Sequence, residues 1–493
     1  MVDSLDNNSR NNTLEVLVNN SNRAPVDNKV QDARKKPDTP FLYFSTLTAN
    51  LLLFSCSNFH VWTSPALPKL LSNDTLVNPI GRPISTLEVS LLAGFPFLIG
   101  LIGSIFAGTI ADIVGRKSVM LYAAITVIMC SLTISASKDI YVYIVARCII
   151  FVCFSTALVL VPLYLTEVCE DHNRAKFGCL MGVSLPAGHL YSYVAGARTN
   201  IPVYTLLCAA PLVLFLIAVL LFVPETPVYL IAKGKIKIAL KVLEKLRRNK
   251  QPQEIERDFE KINDNYKTKR KIGTVSALAL LKSKIYRKAI ILAILPLWVQ
   301  HLSGVTVIMQ FMVPIFDEAG TNLSGTTVSM IAGTIKIIMF IITALFVEKT
   351  GRRPLLLLSG YGTGVSLFLL GLFLYWNYVK WEYLTNVIWL PILCLLLNLI
   401  VYSIGLGPIP MAVMTELFDS KVRPVALSFL VTLNGILVSI LNFLFPIIAY
   451  NFGTHCCIWL FSLCCFVGTT LIYFYLPETK GKSISEIQKL LNK

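Results

Sequence analysis

Ala111-Asp112-Ile113-Val114-Gly115-Arg116-Lys117 returns later in the chain as Val347-Glu348-Lys349-Thr350-Gly351-Arg352-Arg353. Two further signatures repeat in the same order. Glu167-x6-Arg174 comes back as Glu416-x6-Arg423, and Pro224-Glu225-Thr226-Pro227 as Pro477-Glu478-Thr479-Lys480. Self-similarity of this kind is the trace of a duplicated half-protein. Long apolar runs separate the signatures, so the duplicated unit is a membrane bundle. Membrane proteins made of two such halves commonly hold a small solute at the interface between them, which makes transport the leading reading.

Composition supports a membrane chain. Of 493 residues, 55% are hydrophobic and only 15% charged, with a mean hydropathy of +0.66. A crossing helix takes about 20 apolar residues, and twelve such runs can be placed. They lie near 41–64, 88–111, 118–136, 140–164, 178–198 and 203–223, then 288–316, 324–348, 354–375, 387–416, 424–449 and 456–477. The expected fold is an all-α membrane protein of twelve transmembrane helices in two pseudo-symmetric six-helix bundles. Its parts are a disordered tail at 1–40, a first bundle at 41–223, a loop with short helices at 224–287, a second bundle at 288–477 and a tail at 478–493.

The net charge of +16 reads as an orientation signal. With both termini cytoplasmic, 37 of the 44 Lys and Arg fall in inner segments and five in outer ones, while Arg147 and Lys336 lie within spans. That is the positive-inside distribution, and it predicts an integral protein of the plasma membrane in contact with the bilayer. No recognition motif accompanies the charge, which argues against a nucleic-acid role. The N-terminus has no signal peptide, so the first span is read as an uncleaved anchor. Asn73-Asp74-Thr75 is an acceptor sequon in an expected external loop and makes Asn73 the candidate glycosylation site. The twelve cysteines form neither CxxC pairs nor Cys/His spacings suited to zinc, so the expectation is no metal and no cofactor. No paired acids or Ser/His/Asp set share a face, and the reading is not that of an enzyme.

Asp112, Arg116, Glu167 and Arg174 fall at inner helix ends of the first half, and Glu348, Arg352, Glu416 and Arg423 take the corresponding places in the second. Carboxylates and guanidinium groups brought together there can form charge-assisted bonds between helices. Bonds made only while the inner side is closed would bias the protein toward its outward-open state. These eight are the candidate gating residues. Gly115 and Gly351 suit tight interhelical turns. In the loop, Ile236, Ala239, Leu240, Leu243 and Leu246 follow helical spacing, either as a latch on the inner gate or as a basic connector lying on the membrane.

The chain resembles the sugar porter family of the major facilitator superfamily over roughly residues 41–490. The resemblance rests on the stretch Gly108–Lys117, on Pro162-x-Tyr164-x-x-Glu167, on Pro224–Pro227 and on Gln300-His301-Leu302-Ser303-Gly304. Gly407-Pro408-Ile409-Pro410 and Pro477–Ser483 complete it. Trp62-Thr63-Ser64-Pro65-Ala66-Leu67 is similar to the insect trehalose-facilitator branch. The resemblance implies a sugar or sugar-like solute moved by alternating access. Gln300 matches the first seventh-helix glutamine and Asn434 the eleventh-helix asparagine. The family's second glutamine is His301 here and the asparagine after it Thr306. The fifth-helix glutamine is Gly182, the tenth-helix tryptophan Met411 and the eleventh-helix tryptophan Gly435. Lys336 stands where the family has an asparagine facing the cavity. Gln300, His301, Thr306, Lys336, Asn434 and Met411 are therefore the candidate substrate residues.

Lys336 lies roughly 18 Å along a helix from Glu348, too deep to snorkel comfortably, so its amine is expected to face the cavity. Proton-coupled relatives carry an aspartate near the position of Phe59, whereas residues 41–73 contain no acid. Facilitated diffusion is the resulting expectation, with His301 as the alternative titrating group. Arg147 matches the family's fourth-helix arginine, which holds helices together near the external side. The competing functions are a transporter-like membrane sensor and a porter of a non-sugar solute, an anionic one included.

Overall fold

The computed structural model describes residues 38–170, 172–271, 283–346, 351–382, 384–418, 422–478 and 486. The N-terminal tail, Glu348 and most of the C-terminal tail lie outside the described residues. In the first half, α1 (Pro40–His60) and α2 (Thr63–Leu70) make one broken crossing. They are followed by α3 (Thr86–Val114), α4 (Arg116–Ala136), α5 (Ile140–Val168), α6 (Arg174–Arg198) and α7 (Ile201–Leu221). Three short helices come next, α8 (Pro227–Ala232), α9 (Ile236–Leu246) and α10 (Pro252–Lys271). The second half opens with a crossing in three pieces, α11 (Lys284–Leu302), α12 (Val305–Gln310) and α13 (Met312–Glu318). After it come α14 (Gly325–Phe346), α15 (Arg352–Tyr378), a broken crossing of α16 (Leu390–Ile404) and α17 (Ile409–Glu416), then α18 (Arg423–Phe452) and α19 (Thr454–Tyr475).

Among the described residues, ten stretches are long and apolar enough to cross a membrane on length and composition. The crossings of α1 with α2 and of α6 complete the expected twelve, and they are the more polar ones. In α1 the buried residues include Ser45, Thr46, Asn50, Ser55, Ser57 and Asn58. Several bond the helix's own carbonyls, as Asn50 Nδ2 donates to Thr46 O at 2.8 Å. Local bonding of that kind lets a polar helix sit where no water is available. Capping fixes the helix starts. Thr39 accepts from Leu42 N, and Ser85 forms a capping box with Glu88.

The two halves meet through a symmetric exchange. α3, second crossing of the first half, packs on α18, fifth crossing of the second. Reciprocally α6, fifth of the first, packs on α14, second of the second. This pairing is what a two-fold axis between duplicated bundles requires. Away from the interface the helices show apolar side chains outward, such as Ile102, Ile105, Phe106 and Ile113 on α3 and Leu214, Leu220 and Leu221 on α7. Such a surface is stable only against lipid.

The short helices pack against the first half. Thr39 Oγ1 donates to Leu246 O at 2.8 Å. Lys250 reaches Glu170 at 2.8 Å and Asp258 at 2.9 Å, and Arg247 also pairs with both acids. In this network Asp38 accepts from Asn173 and Lys176. Burial alone would raise the Asp38 carboxyl, but those two bonds outweigh it and hold the group below the ordinary range.

Candidate functional site

At the face bearing the duplicated charges, hereafter the basic face, all three signatures of the first half lock into one cluster. Arg116 is 6% exposed and its guanidinium pairs with Glu167 and Asp112, each at 2.8 Å, while also donating to Ala111 O at 3.1 Å. Thr226 Oγ1 donates to the other oxygen of Glu167 at 2.6 Å. Glu225 accepts from the backbone N–H of Arg116 and Lys117, both at 3.1 Å, capping α4, whose own N-cap is the side-chain-less Gly115. Burial pushes the Glu225 carboxyl up, against those backbone bonds and the nearby Arg116 charge.

The second half repeats the design. Glu478 accepts from the N–H of Arg352 and of Arg353, both at 3.0 Å, and so caps α15. Arg352 Nε donates to Glu416 at 3.3 Å. The paired glycines turn out to serve the caps. Gly115 has φ +109°, but Gly351 has an ordinary φ of −63°, so backbone freedom is needed only at the first. At both positions an added Cβ would crowd the capping carboxylate, of Glu225 and of Glu478. Arg174 donates to Thr166 O at 3.4 Å and Arg423 to Phe418 O at 3.1 Å. Each thus ties the start of its helix to the preceding chain.

At the opposite, far face the halves are bonded to each other. Thr63 Oγ1 donates to Gln310 Oε1 at 2.8 Å, and Val313 N donates to Ser64 Oγ at 3.0 Å. Tyr193 Oη donates to Met309 O at 2.9 Å, and Ser439 Oγ to Gly94 O at 2.9 Å. Thr63 is itself held from behind by Arg147 Nη2 at 2.9 Å. The Trp62–Leu67 stretch therefore packs α2 against α13, and Trp62 is clamped between Tyr204, stacked at 5.9 Å, and the Arg147 guanidinium at 5.1 Å.

Between these ends lie the sequence-derived candidates. Gln300 is 9% exposed and its Nε2 donates to Gly407 O at 2.9 Å, joining the break after α11 to the break between α16 and α17. Discontinuous helices at this depth are where solute sites form in two-half transporters. His301 Nδ1, Thr306 Oγ1 and Asn434 Oδ1 are buried without a hydrogen-bond partner. Met411 is exposed on α17. Lys336 is half-buried on α14, and none of the described residues gives it a hydrogen bond or ion pair. Asn73 is exposed between α2 and α3.

The two glycines read as lost site residues have a structural counterpart. A Cβ on Gly182 of α6 would overlap the Phe340 ring of α14, and one on Gly435 of α18 would overlap Leu101 of α3. Each half inserts a large apolar side chain into the place where the other half has given up a side chain. Sequence reasoning missed His60 and His189, which stack at 5.1 Å with an interplanar angle of 19°. It also missed Thr63, Ser64 and Gln310 as the far-face closure. The signal available for the histidines was their rarity: the chain has only five.

Two bundles that exchange second and fifth crossings and are bonded together at one end have the architecture of the major facilitator fold. Residues 12–491 match the sugar (and other) transporter family, and the chain belongs to that family. It is 28% identical over 433 residues to the facilitated trehalose transporter Tret1 of Drosophila erecta, which covers 87% of this chain and 49% of that protein. It is also 28% identical over 459 residues to Tret1 of Anopheles gambiae, 92% of this chain and 57% of that one. The chain thus spans about half the length of the curated relatives it matches. The inward-open structure of the xylose transporter XylE from E. coli superimposes with a TM-score of 0.75 at 19% identity, covering 91% of this chain and 99% of XylE. A partially occluded inward-open XylE structure gives 0.71.

Proposed function

We propose that this chain moves a sugar or sugar-like small solute across the plasma membrane by alternating access and facilitated diffusion, with the basic face and both termini cytoplasmic. The observation that carries this reading is the interface itself. Unpartnered polar atoms of Gln310, His301, Thr306 and Asn434 lie buried within helices of the second half, and the far face is held shut by bonds between Thr63, Ser64 and the α12–α13 segment. A buried polar group without a partner is costly, so a bundle that keeps several of them suits a ligand rich in hydroxyls. Gln300, His301, Thr306, Lys336, Asn434 and Met411 are the assigned solute residues. The clusters of Asp112, Arg116, Glu167 and Arg174 and of Glu348, Arg352, Glu416 and Arg423 are assigned to the inner gate, and Asn73 to glycosylation outside.

Coupling to protons is not expected, because α1 and α2 contain no Asp or Glu. In proteoliposomes, radiolabelled solute should equilibrate across the membrane without accumulating above its gradient. A protonophore should leave both the rate and the end point unchanged. Concentrative uptake that collapses with the protonophore would sink the facilitated reading and direct attention to His301.

A further inference from the structure

Four basic side chains, His60, His189, His301 and Lys336, lie on helices α1, α6, α11 and α14 of the two halves. His60 ends α1, and its ring stacks on that of His189 from α6 at 5.1 Å. Lys336 is brought there by the α6–α14 contact, in which Leu190, next to His189, rests on Gly333, one turn before Lys336. His189 is 7% exposed, yet its Nδ1 has no partner, and the same holds for the Nδ1 atoms of His60 and His301. Around His60 the other ring neighbours are Phe97 and Phe154, each at 5.4 Å, and Phe151 at 6.2 Å.

Among the described residues no acid pairs with these groups. The helices that carry them, α1, α6, α11 and α14, contain no Asp or Glu anywhere along their length. Arg147 already spends its guanidinium on Leu92 O, Phe59 O and Thr63 Oγ1, whereas Lys336 has no hydrogen bond or ion pair among the described residues. An ammonium offers three N–H groups, and each imidazole keeps one N–H even when neutral. A charge held in a membrane interior ordinarily pairs with a group of opposite sign or with backbone carbonyls. An ammonium with no carboxylate paired to it among the described residues, set beside imidazole N–H groups, is instead complementary to an anion.

We propose that the central site takes a solute bearing an anionic group on a sugar-like frame, a carboxylate or a phosphate, with Lys336, His189 and His60 receiving the negative charge. The proposal rests on the transport reading above and narrows its substrate class. The hydroxyls of such a solute fall to the orphan Asn434 Oδ1, Thr306 Oγ1 and Gln310 Nε2. The indoles that would have stacked on a neutral pyranose are not required, because orientation comes from the charge.

The test is uptake by the full chain in proteoliposomes of four radiolabelled probes: glucuronate, glucose 6-phosphate, glucose and trehalose. The expected result is saturable uptake of glucuronate or glucose 6-phosphate at least ten times faster than of either neutral sugar. Lys336→Met should cut that uptake at least tenfold, Lys336→Arg should retain most of it, and His189→Gln should weaken it. Stabilisation of the purified protein against heat by the same anion, lost in Lys336→Met, separates a binding defect from a folding one. If glucose or trehalose is carried and neither anion is carried nor competes, the proposal is overturned while the transport reading stands. Lack of both uptake and thermal stabilisation with all four probes would count against the transport reading and the proposal together.

Discussion

Arg147→Leu is expected to lower the melting temperature of the purified protein by several degrees, to cut solute flux at least tenfold and to open the far face. Arg147 is 1% exposed and carries the grip of three elements. Its Nε donates to Leu92 O of α3 at 3.2 Å, Nη1 to Phe59 O of α1 at 3.4 Å, and Nη2 to Thr63 Oγ1 of α2 at 2.9 Å. The guanidinium also lies over Trp62 and Phe151. Hydrogen bonds to a charged group are worth roughly 1.5–3 kcal/mol each. Relief of the buried charge returns part of that, leaving a net loss on the order of 3 kcal/mol. The functional consequence runs through Thr63, which donates onward to Gln310 in the other half. With Thr63 released, the α2–α13 closure loosens, and a cysteine placed at Ser64 should react faster with a membrane-impermeant reagent from that side. Arg147→Lys should recover little, since a single ammonium cannot hold three diverging acceptors. Unchanged melting and unchanged labelling at position 64 would remove Arg147 from the closure.

The part of this molecule legible in sequence is the part written in fixed local spacing. Asp112-x3-Arg116 sets acid and base on either side of the tight turn at Gly115, and Arg116 does pair with Asp112. The apolar runs marked the crossings because a bilayer asks for length and hydropathy, which are properties of contiguous residues. What the spacing could not say is which distant residue completes each cluster. Glu225 reaches the amides of Arg116 and Lys117 across more than a hundred residues of chain, so its role as a helix cap is invisible until α4 and the segment after α7 lie side by side. His60 and His189 are likewise far apart in sequence and touch only because α1 packs on α6.

The glycines teach the same lesson in reverse. Gly182 and Gly435 read as side chains missing from a sugar site, which is a statement about relatives. Their surroundings hold Phe340 and Leu101 from the opposite half, so the small residues are needed for close approach of the bundles. Restoring an amide by Gly182→Gln alone would therefore collide with Phe340 before it met any solute. The breaks within the seventh and tenth crossings were hidden for a related reason. Each crossing is predominantly apolar, and the backbone at Gly304, with φ +72°, at Phe311 and in the Gly405–Pro408 connection divides them.

Glu167→Gln should cost more stability than Glu416→Gln, although the two acids hold equivalent places in the duplicated halves. The Arg116–Glu167 pair closes to 2.8 Å with side chains 7% and 10% exposed. The Arg352–Glu416 pair is longer, 3.3 Å, and wetter, at 18% and 28%. Neutralising Glu167 leaves a buried guanidinium whose remaining acidic partner, Asp112, is 70% exposed. It also weakens the acceptor for Thr226. A charge-assisted bond in that setting is worth roughly 1.5–3 kcal/mol, whereas a partly solvated pair contributes about 0–1 kcal/mol. Scanning fluorimetry should show a clear drop in melting temperature for Glu167→Gln and a small one for Glu416→Gln. Transport should respond more evenly. Each cluster binds the ends of several helices into a block, and alternating access by rocking halves needs both blocks to move as bodies. Both variants should weaken the state closed at the basic face, slow flux several-fold and raise labelling of cysteines placed near Gly115 or Gly351, while Glu416→Gln still reaches the cell surface. Flux and labelling in Glu416→Gln that match the parent protein would defeat the gating role of the second cluster, and a larger melting loss there than in Glu167→Gln would defeat the burial argument.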